Sequence, residues 1–227
     1  MSLHLGPKRN SHSASLKSQI GKNNMGRGKY GEFLGVARSL VIFLAIASML
    51  RASVVEAFRI PSSSMEPTLE IGDHILVNKL SYGLRLPFLA KTVLDFRDPR
   101  RGDVVVFTLP DDPSTPDVDE SDTNIIKRIV GLPNDIIKVR GMRLYVNDKV
   151  YEEDQEHAIW VLGGKKDFGP VKVPEGNVLL LGDNRDQSKD SRYWNSPFLD
   201  ASRIKGRAFI IYWNSLFLFR RMFGLIR

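Results

Sequence analysis

Three short stretches of this chain hold side chains able to work together as a hydrolytic centre. The first is "FRIPSSSMEPTL" (residues 58–69), in which Ser62, Ser63 and Ser64 stand between Pro61 and Met65. A serine hydroxyl attacks a carbonyl only when a neighbouring base takes its proton. The usual base is histidine, and the chain has four. His4 and His12 fall in a polar tail, His74 opens an apolar run and His157 lies among acids, so none sits in a recognisable catalytic setting. The sequence has no cysteine, which excludes a thiol nucleophile, a disulfide framework and a Cys-ligated zinc. The triplet also has a plainer use: Ser63 followed three positions later by Glu66 fits a capping box ahead of a helical turn.

The second stretch, "NIIKRIVGLPND" (residues 124–135), reads as a strand. Side chains alternate along a strand, so Ile125, Lys127 and Ile129 share one face while Ile126, Arg128 and Val130 share the other. A lysine with the ordinary pKa of ~10.4 is protonated at neutral pH and useless as a base, but apolar surroundings disfavour its charged form. Lys127, flanked by isoleucines, is the candidate base; the competing reading is a strand lysine that reaches solvent. The third stretch, "LLLGDNRDQSKDSRYW" (residues 179–194), is a polar loop behind an apolar run. Asp186, Ser188 and Asp190 have the alternate spacing of a calcium loop, yet the central glycine is missing and the twelfth position is Pro197, so no metal is expected.

The elements that must position these groups follow from composition and period. With 42% hydrophobic and 26% charged residues the chain has the balance of a globular domain with a core. The net charge of +7 is concentrated: residues 1–31 carry Lys8, Arg9, Lys17, Lys22, Arg27 and Lys29 with no acid, leaving 27 of the 33 basic residues against 26 acids. The excess is a tail and not a groove, so no nucleic-acid partner is expected. Residues 1–32 lack apolar period and are expected to be a disordered cytoplasmic tail. Residues 33–57 are expected to be a transmembrane anchor: Ser39 to Leu50 is shorter than the ~20 residues of an ordinary span, but Arg38 and Arg51 can extend their stems outward from ends roughly 20 Å apart. The cationic tail sets the N-terminus inside and residues 58–227 outside.

Beyond the anchor, "HILVNKL", "DVVVFTL", "NIIKRIV", "DIIKVR", "RLYVND", "NVLLLGD" and "GRAFIIYW" are short β-branched or aromatic runs punctuated by Gly, Pro, Asn and Asp. "VRGMR" and "VNDKV" read as tight turns. The fold class expected is mainly β: one antiparallel β-sandwich or partly open barrel with a single N-terminal transmembrane helix. "LPDDPSTPDVDESDTN" reads as a surface loop. The closing "SLFLFRRMFGLIR" is either a last strand capping the core or an amphipathic segment resting on a membrane surface.

In order, after an N-terminal anchor, "IPSSSMEPTL", "GDHILVNKL", "RGDVVVF", "IIKRIVGLPND" and "GDNRDQSKDSRYW" resemble the type I signal peptidases, membrane-anchored Ser-Lys proteases that remove signal peptides from exported proteins. The resemblance covers residues 33–213. It implies Ser64 as nucleophile, Lys127 as general base and acid, and Ser62 as a side-chain oxyanion donor beside the backbone N–H of Ser64. It also implies that Ser188 orients the lysine and that Asp190 and Arg192 are paired charges bracing the loop. Asp183 and Asn184 belong to the signature without an assigned role. The substrate is implied to lie as an added strand with Ala-x-Ala before the cut, and Phe58, Ile60, Met65 and Ile126 are candidate walls of its shallow pockets. Partners are then signal-peptide-bearing preproteins and membrane phospholipid, with no cofactor or metal, at the inner (plasma) membrane in a single pass.

Two features depart from the family's pattern. Ser63 stands where bacterial members commonly have glycine, and only about fifty residues separate Lys127 from the third stretch, too few for the large inserted β-domain some members carry. Two other readings are a self-cleaving Ser-Lys relative of the repressor type, which predicts a DNA-binding head in place of an anchor, and a membrane-tethered binding or scaffold protein whose serines only cap.

Overall fold

The β-branched runs pair as antiparallel strands. The structure, a computed structural model, describes residues 33–45, 48, 54–85, 92–94, 97–109, 124–161, 167–214 and 223–226. The strands in chain order are β1 (Val55–Arg59), β2 (Asp73–Asn78), β3 (Leu84–Arg85), β4 (Thr92–Leu94), β5 (Val104–Phe107), β6 (Ile125–Gly131) and β7 (Ile136–Arg140). They continue as β8 (Arg143–Val146), β9 (Lys149–Val150), β10 (Phe168–Lys172), β11 (Asn177–Leu181), β12 (Leu199–Asp200), β13 (Ile204–Asn214) and β14 (Gly224–Leu225). All seven runs singled out in the sequence are strands, namely β2, β5, β6, β7, β8, β11 and β13.

The main sheet runs β1-β2-β13-β5-β6-β11-β12, with β14 on β13; its end strands β1 and β12 do not pair with each other, so the sheet stays open. A second sheet, β10-β7-β8-β9, and the pair β3-β4 complete the described strands. The fold is thus an open antiparallel β architecture. β2 alternates buried Asp73, Ile75 and Val77 with half-buried His74, Leu76 and Asn78, the pattern of a strand covered on one face. β5 is buried at all four positions, covered on both.

Three apolar clusters hold these layers. One gathers Ile60, Met65, Leu69, Ile75 and Val104; a second Val105, Phe107, Ile129, Leu180 and Ile204; a third Val130, Ile137, Leu144, Leu179 and Leu181. Each fully buried side chain of this size stabilises the fold by about 1.5–3 kcal/mol. Both expected tight turns have two successive residues at positive φ, Gly141 and Met142 in one, Asn147 and Asp148 in the other. That is the backbone of a type I′ hairpin, whose twist matches the strands it joins.

The chain divides into two units, Met1–Leu50 and Arg51–Arg227. In the first, residues 33–45 are helical. Of the transmembrane anchor expected over 33–57, residues 46, 47 and 49–53 lie outside the described residues; no helix among the described residues is long and apolar enough to cross a membrane, and the expected C-terminal bound needs correction. Val55–Ala57 belong to β1, because this strand finds its partner in β2 through the pairs Val55–Asn78 and Ala57–Leu76. The tail expected over 1–32 lies outside the described residues. At the other end β14 pairs with β13 and Ile226 is buried, which agrees with the last-strand reading for residues 224–226; residues 215–222 are also outside.

Candidate active site

The serine triplet is carried by a turn locked at both ends. Ile60 N–H donates to Asp73 O and Gly72 N–H returns a bond to Ile60 O, fixing the exit from β1. The turn Ser63–Met65 is a 3-10 helix, and Leu69 N–H donates to Met65 O at 2.9 Å. Met65 and Leu69 are fully buried, so two apolar anchors pin the loop and point Ser64 inward. The capping-box reading is corrected here. Ser62, not Ser63, precedes the turn, and it makes no side-chain cap. Ser63 is instead half-buried and donates to Gln187 Oε1 at 3.2 Å, tying this loop to the third stretch.

β6 brings the lysine. Lys127 stands opposite Val105 on β5 and between Ile125 and Ile129, and all three of these apolar neighbours belong to the cluster around Phe107 and Leu180. It is 4% exposed, and Ser64 is 8% exposed. Lys127 Nζ lies 2.9 Å from Ser64 Oγ and 2.9 Å from the carbonyl oxygen of Ile126. Ser62 Oγ lies 3.4 Å from Ser64 Oγ. The structure therefore brings Ser62, Ser64 and Lys127 to one point. His74 packs edge-on to Tyr212 on the β2–β13 pair, and His157 caps a short turn near Arg128 and Asp183.

Ser188 is buried beside the Ser64 backbone, but its hydroxyl has no hydrogen-bond partner among the described residues, so the expected bond to Lys127 is not among the observed contacts. It sits against Gly182: a Cβ there would meet Ser188 Oγ at 2.2 Å and the carbonyl oxygen of Ser64 at 2.5 Å. Only a residue without a side chain permits this approach. Asn184 N–H donates to that same Ser64 carbonyl at 3.2 Å, a backbone tie between the serine turn and the loop. Asp190 and Arg192 form the expected pair, with Nε to Oδ1 at 2.8 Å, and Asp190 Oδ2 accepts from Gly182 N–H at 3.0 Å. Burial works against the Arg192 charge, but the hydrogen bond and charge of Asp190 outweigh it and raise the guanidinium pKa.

Of the four pocket candidates, Met65 and Ile60 are buried, whereas Phe58 and Ile126 are half-buried on the same cluster and retain surface to offer. Asp183, left without a role by the sequence, accepts from Arg128 Nε at 2.9 Å and NH2 at 2.7 Å and from Thr68 Oγ1 at 2.5 Å. A second buried pair, Arg185 with Asp154, was not anticipated. The signal for both was present in kind: an arginine held in or behind an apolar strand demands a buried carboxylate. A polar cavity of about 280 Å³ lined by Arg101, Asp103, Arg128, Asp154 and His157 contains none of Ser62, Ser64 or Lys127.

Residues 33–213 match the signal peptidase family, peptidase S26. Signal peptidase I of Pseudomonas fluorescens is 38% identical over 213 residues, covering 77% of this chain and 70% of that protein. The probable signal peptidase I-2 of Synechocystis is 39% identical over 181 residues, covering 80% of this chain and 73% of its own length. A crystal structure of a signal peptidase I from Enterococcus faecalis is 25% identical and covers 50% of this chain and 98% of that one, with a TM-score of 0.37.

Proposed function

The chain belongs to the signal peptidase family, peptidase S26, serine peptidases that remove signal peptides from preproteins, and we propose that here Ser64 makes the cut with Lys127 as its base. One observation carries this assignment: Lys127 Nζ lies 2.9 Å from Ser64 Oγ, with both groups buried. That separation suits proton transfer from a nucleophile to its base, and burial favours the uncharged amine that the role requires. Neutral Nζ takes the Ser64 proton as Oγ bonds to the scissile carbonyl carbon. The carbonyl oxygen gains negative charge and is met by the Ser62 hydroxyl and the Ser64 backbone N–H. Nζ then passes its proton to the leaving nitrogen as the C–N bond breaks, leaving an acyl-serine. Water attacks this ester, gives a proton to Nζ, and Ser64 recovers its own.

The substrate is a preprotein segment with Ala-x-Ala before the cut, lying extended beside the Ser64 turn and β6, with Phe58 and Ile126 meeting its small side chains. Ile60 and Met65 back this surface from inside the core. Ser188, with Asp190 and Arg192 beneath it, shapes the space around the lysine. The six tail cations and the exposed apolar side chains of the 33–45 helix, among them Phe33, Val36, Val41 and Phe43, support a membrane-anchored chain with its N-terminus cytoplasmic and its β domain extracytoplasmic. The test is cleavage of a precursor whose signal ends in Ala-x-Ala by the detergent-solubilised protein, with N-terminal sequencing of the product. Ser64→Ala and Lys127→Ala should each abolish processing with the melting temperature retained. Losses from His74→Ala or His157→Ala as deep as that from Lys127→Ala would defeat the assignment.

A further inference from the structure

The run "YEEDQEHAIW" (residues 151–160) reads as a solvated acidic loop, yet one of its acids is buried. Asp154 is 4% exposed, while Glu152, Glu153 and Glu156 face solvent or lie at the surface. Both of its carboxylate oxygens accept from the guanidinium of Arg185, with NH1 to Oδ2 at 2.8 Å. Arg185 is 1% exposed, and its third donor, Nε, reaches Gly182 O at 3.0 Å. The backbone is tied in parallel: Ile159 N–H donates to Asp183 O at 2.8 Å and Arg185 N–H to Ile159 O at 3.0 Å. Trp160 lies 5.5 Å from the Arg185 guanidinium and 5.8 Å from that of Arg192.

These contacts converge on one peptide. Gly182 is held from its N–H by Asp190 and from its carbonyl by Arg185, and the atoms nearest its α-carbon's open side are Ser188 Oγ and Ser64 O. The charges around Arg185 include Asp154 on the 3-10 turn Glu152–Glu156, Asp186, Asp190 and Arg192 within its own loop, and, near the turn's end, Glu156 and His157 with the Arg128–Asp183 pair. A bidentate carboxylate fixes both the direction and the depth of a guanidinium, which a lone charge does not.

Resting on the Ser64–Lys127 reading above, we propose that Asp154 is a positioning residue for the cleavage: through Arg185 it sets the Gly182 peptide, and with it the seat of the Ser64 backbone and hence the reach of the Ser64 hydroxyl to Lys127. Asp154→Asn keeps the size and removes the charge. Measured on the full-length protein in detergent, well below each variant's melting temperature, it should lower kcat about tenfold with KM within about threefold, since small displacements of reacting groups cost rate and not affinity. The ascending limb of the pH–rate profile should also move upward, because a loosened loop admits water to Lys127 and restores its ordinary preference for the charged form. A merely structural role lowers the active fraction and leaves the limb in place, so an unmoved limb, or a kcat per folded molecule within twofold of wild type, would overturn the proposal. Should Asp154→Asn not fold, Trp160→Leu, which keeps every charge, carries the same test with a smaller shift in the same direction. A wild-type profile with no limb below the free-lysine range would sink Lys127 as base, and the kcat comparison would then decide on Asp154 alone.

Discussion

Substituting alanine for Asp183 strips the Arg128 guanidinium, 1% exposed, of its carboxylate, a loss that the neutral carbonyl of Gly102 and hydroxyl of Thr68 do not make good. A buried charge that loses its partner typically costs 3–5 kcal/mol, on the order of the whole margin by which a domain is stable. At about 2–4 °C per kcal/mol for a domain of this size, the melting temperature should drop by roughly 10–15 °C. The comparison that isolates the cause is Arg128→Met with Asp183→Leu, which removes both charges; it should recover most of the loss because no charge is left unpaired. Thermal melts of wild type, Arg128→Met, Asp183→Leu and the double variant in one detergent buffer measure the four corners, with Asp183→Ala melted beside them. An Asp183→Ala melt within about 2 °C of wild type, or a double variant no better than the singles, would refute the reasoning, since Arg128 would then have to be solvated.

The other expectations concern the dyad and its surroundings. Cleavage rate should climb with pH along a limb well below ~10.4, because acid protonates Lys127 and stops the reaction; a profile that starts to rise only near the free-lysine value would mean an exposed amine. Ser62→Ala should lower kcat by roughly 10²–10³ with KM little changed, the size of one lost oxyanion donor. Ser63→Ala should cost about 1 kcal/mol or less, since it loses only an exposed bond to Gln187, and a deeper kcat loss from Ser63 than from Ser62 would reverse their roles. His157 is held below its usual value, first by burial and then by the Arg128 charge. As pH falls through about 6.5 the unfolded chain therefore takes up a proton that the folded chain resists, and stability declines. His157→Gln should flatten the fall of the melting temperature between pH 7 and 5, and parallel curves would contradict this.

Strand identity was legible because it is local: each of the seven β-branched runs carries its own period, and Gly141–Met142 and Asn147–Asp148 carry their own turns. What was not legible depended on distant partners. Val55–Ala57 read as part of an apolar anchor because β1 becomes a strand only by pairing with β2, about twenty residues on. β10 hid behind Gly169 and Pro170, residues that weaken a strand pattern but stand here where its pairing with β7 shifts register. At the site, the serine triplet and Lys127 were legible as candidates from residue type and apolar flanks, while the choice of Ser64 among the three came from the family resemblance. Ser63 was misread as a cap because its partner, Gln187, lies across the fold, and Asp154 looked like one more surface acid because Arg185 is 31 positions away.

Lys127 and Arg128 are neighbours in one strand, and the pleat sends them opposite ways: one to a serine hydroxyl, the other to a carboxylate. The strand therefore behaves like a reading frame of period two. Deleting a single residue such as Ile126 would not merely shorten it; the guanidinium would rotate to where the amine stood. A guanidinium cannot be stripped of its proton in a protein, so the serine would face a permanent cation and no base. The same slip would put Ile129 where Arg128 stood and leave the Asp183 carboxylate facing an isoleucine. Anyone grafting this centre onto another sheet, or moving it along β6, is bound to steps of two residues.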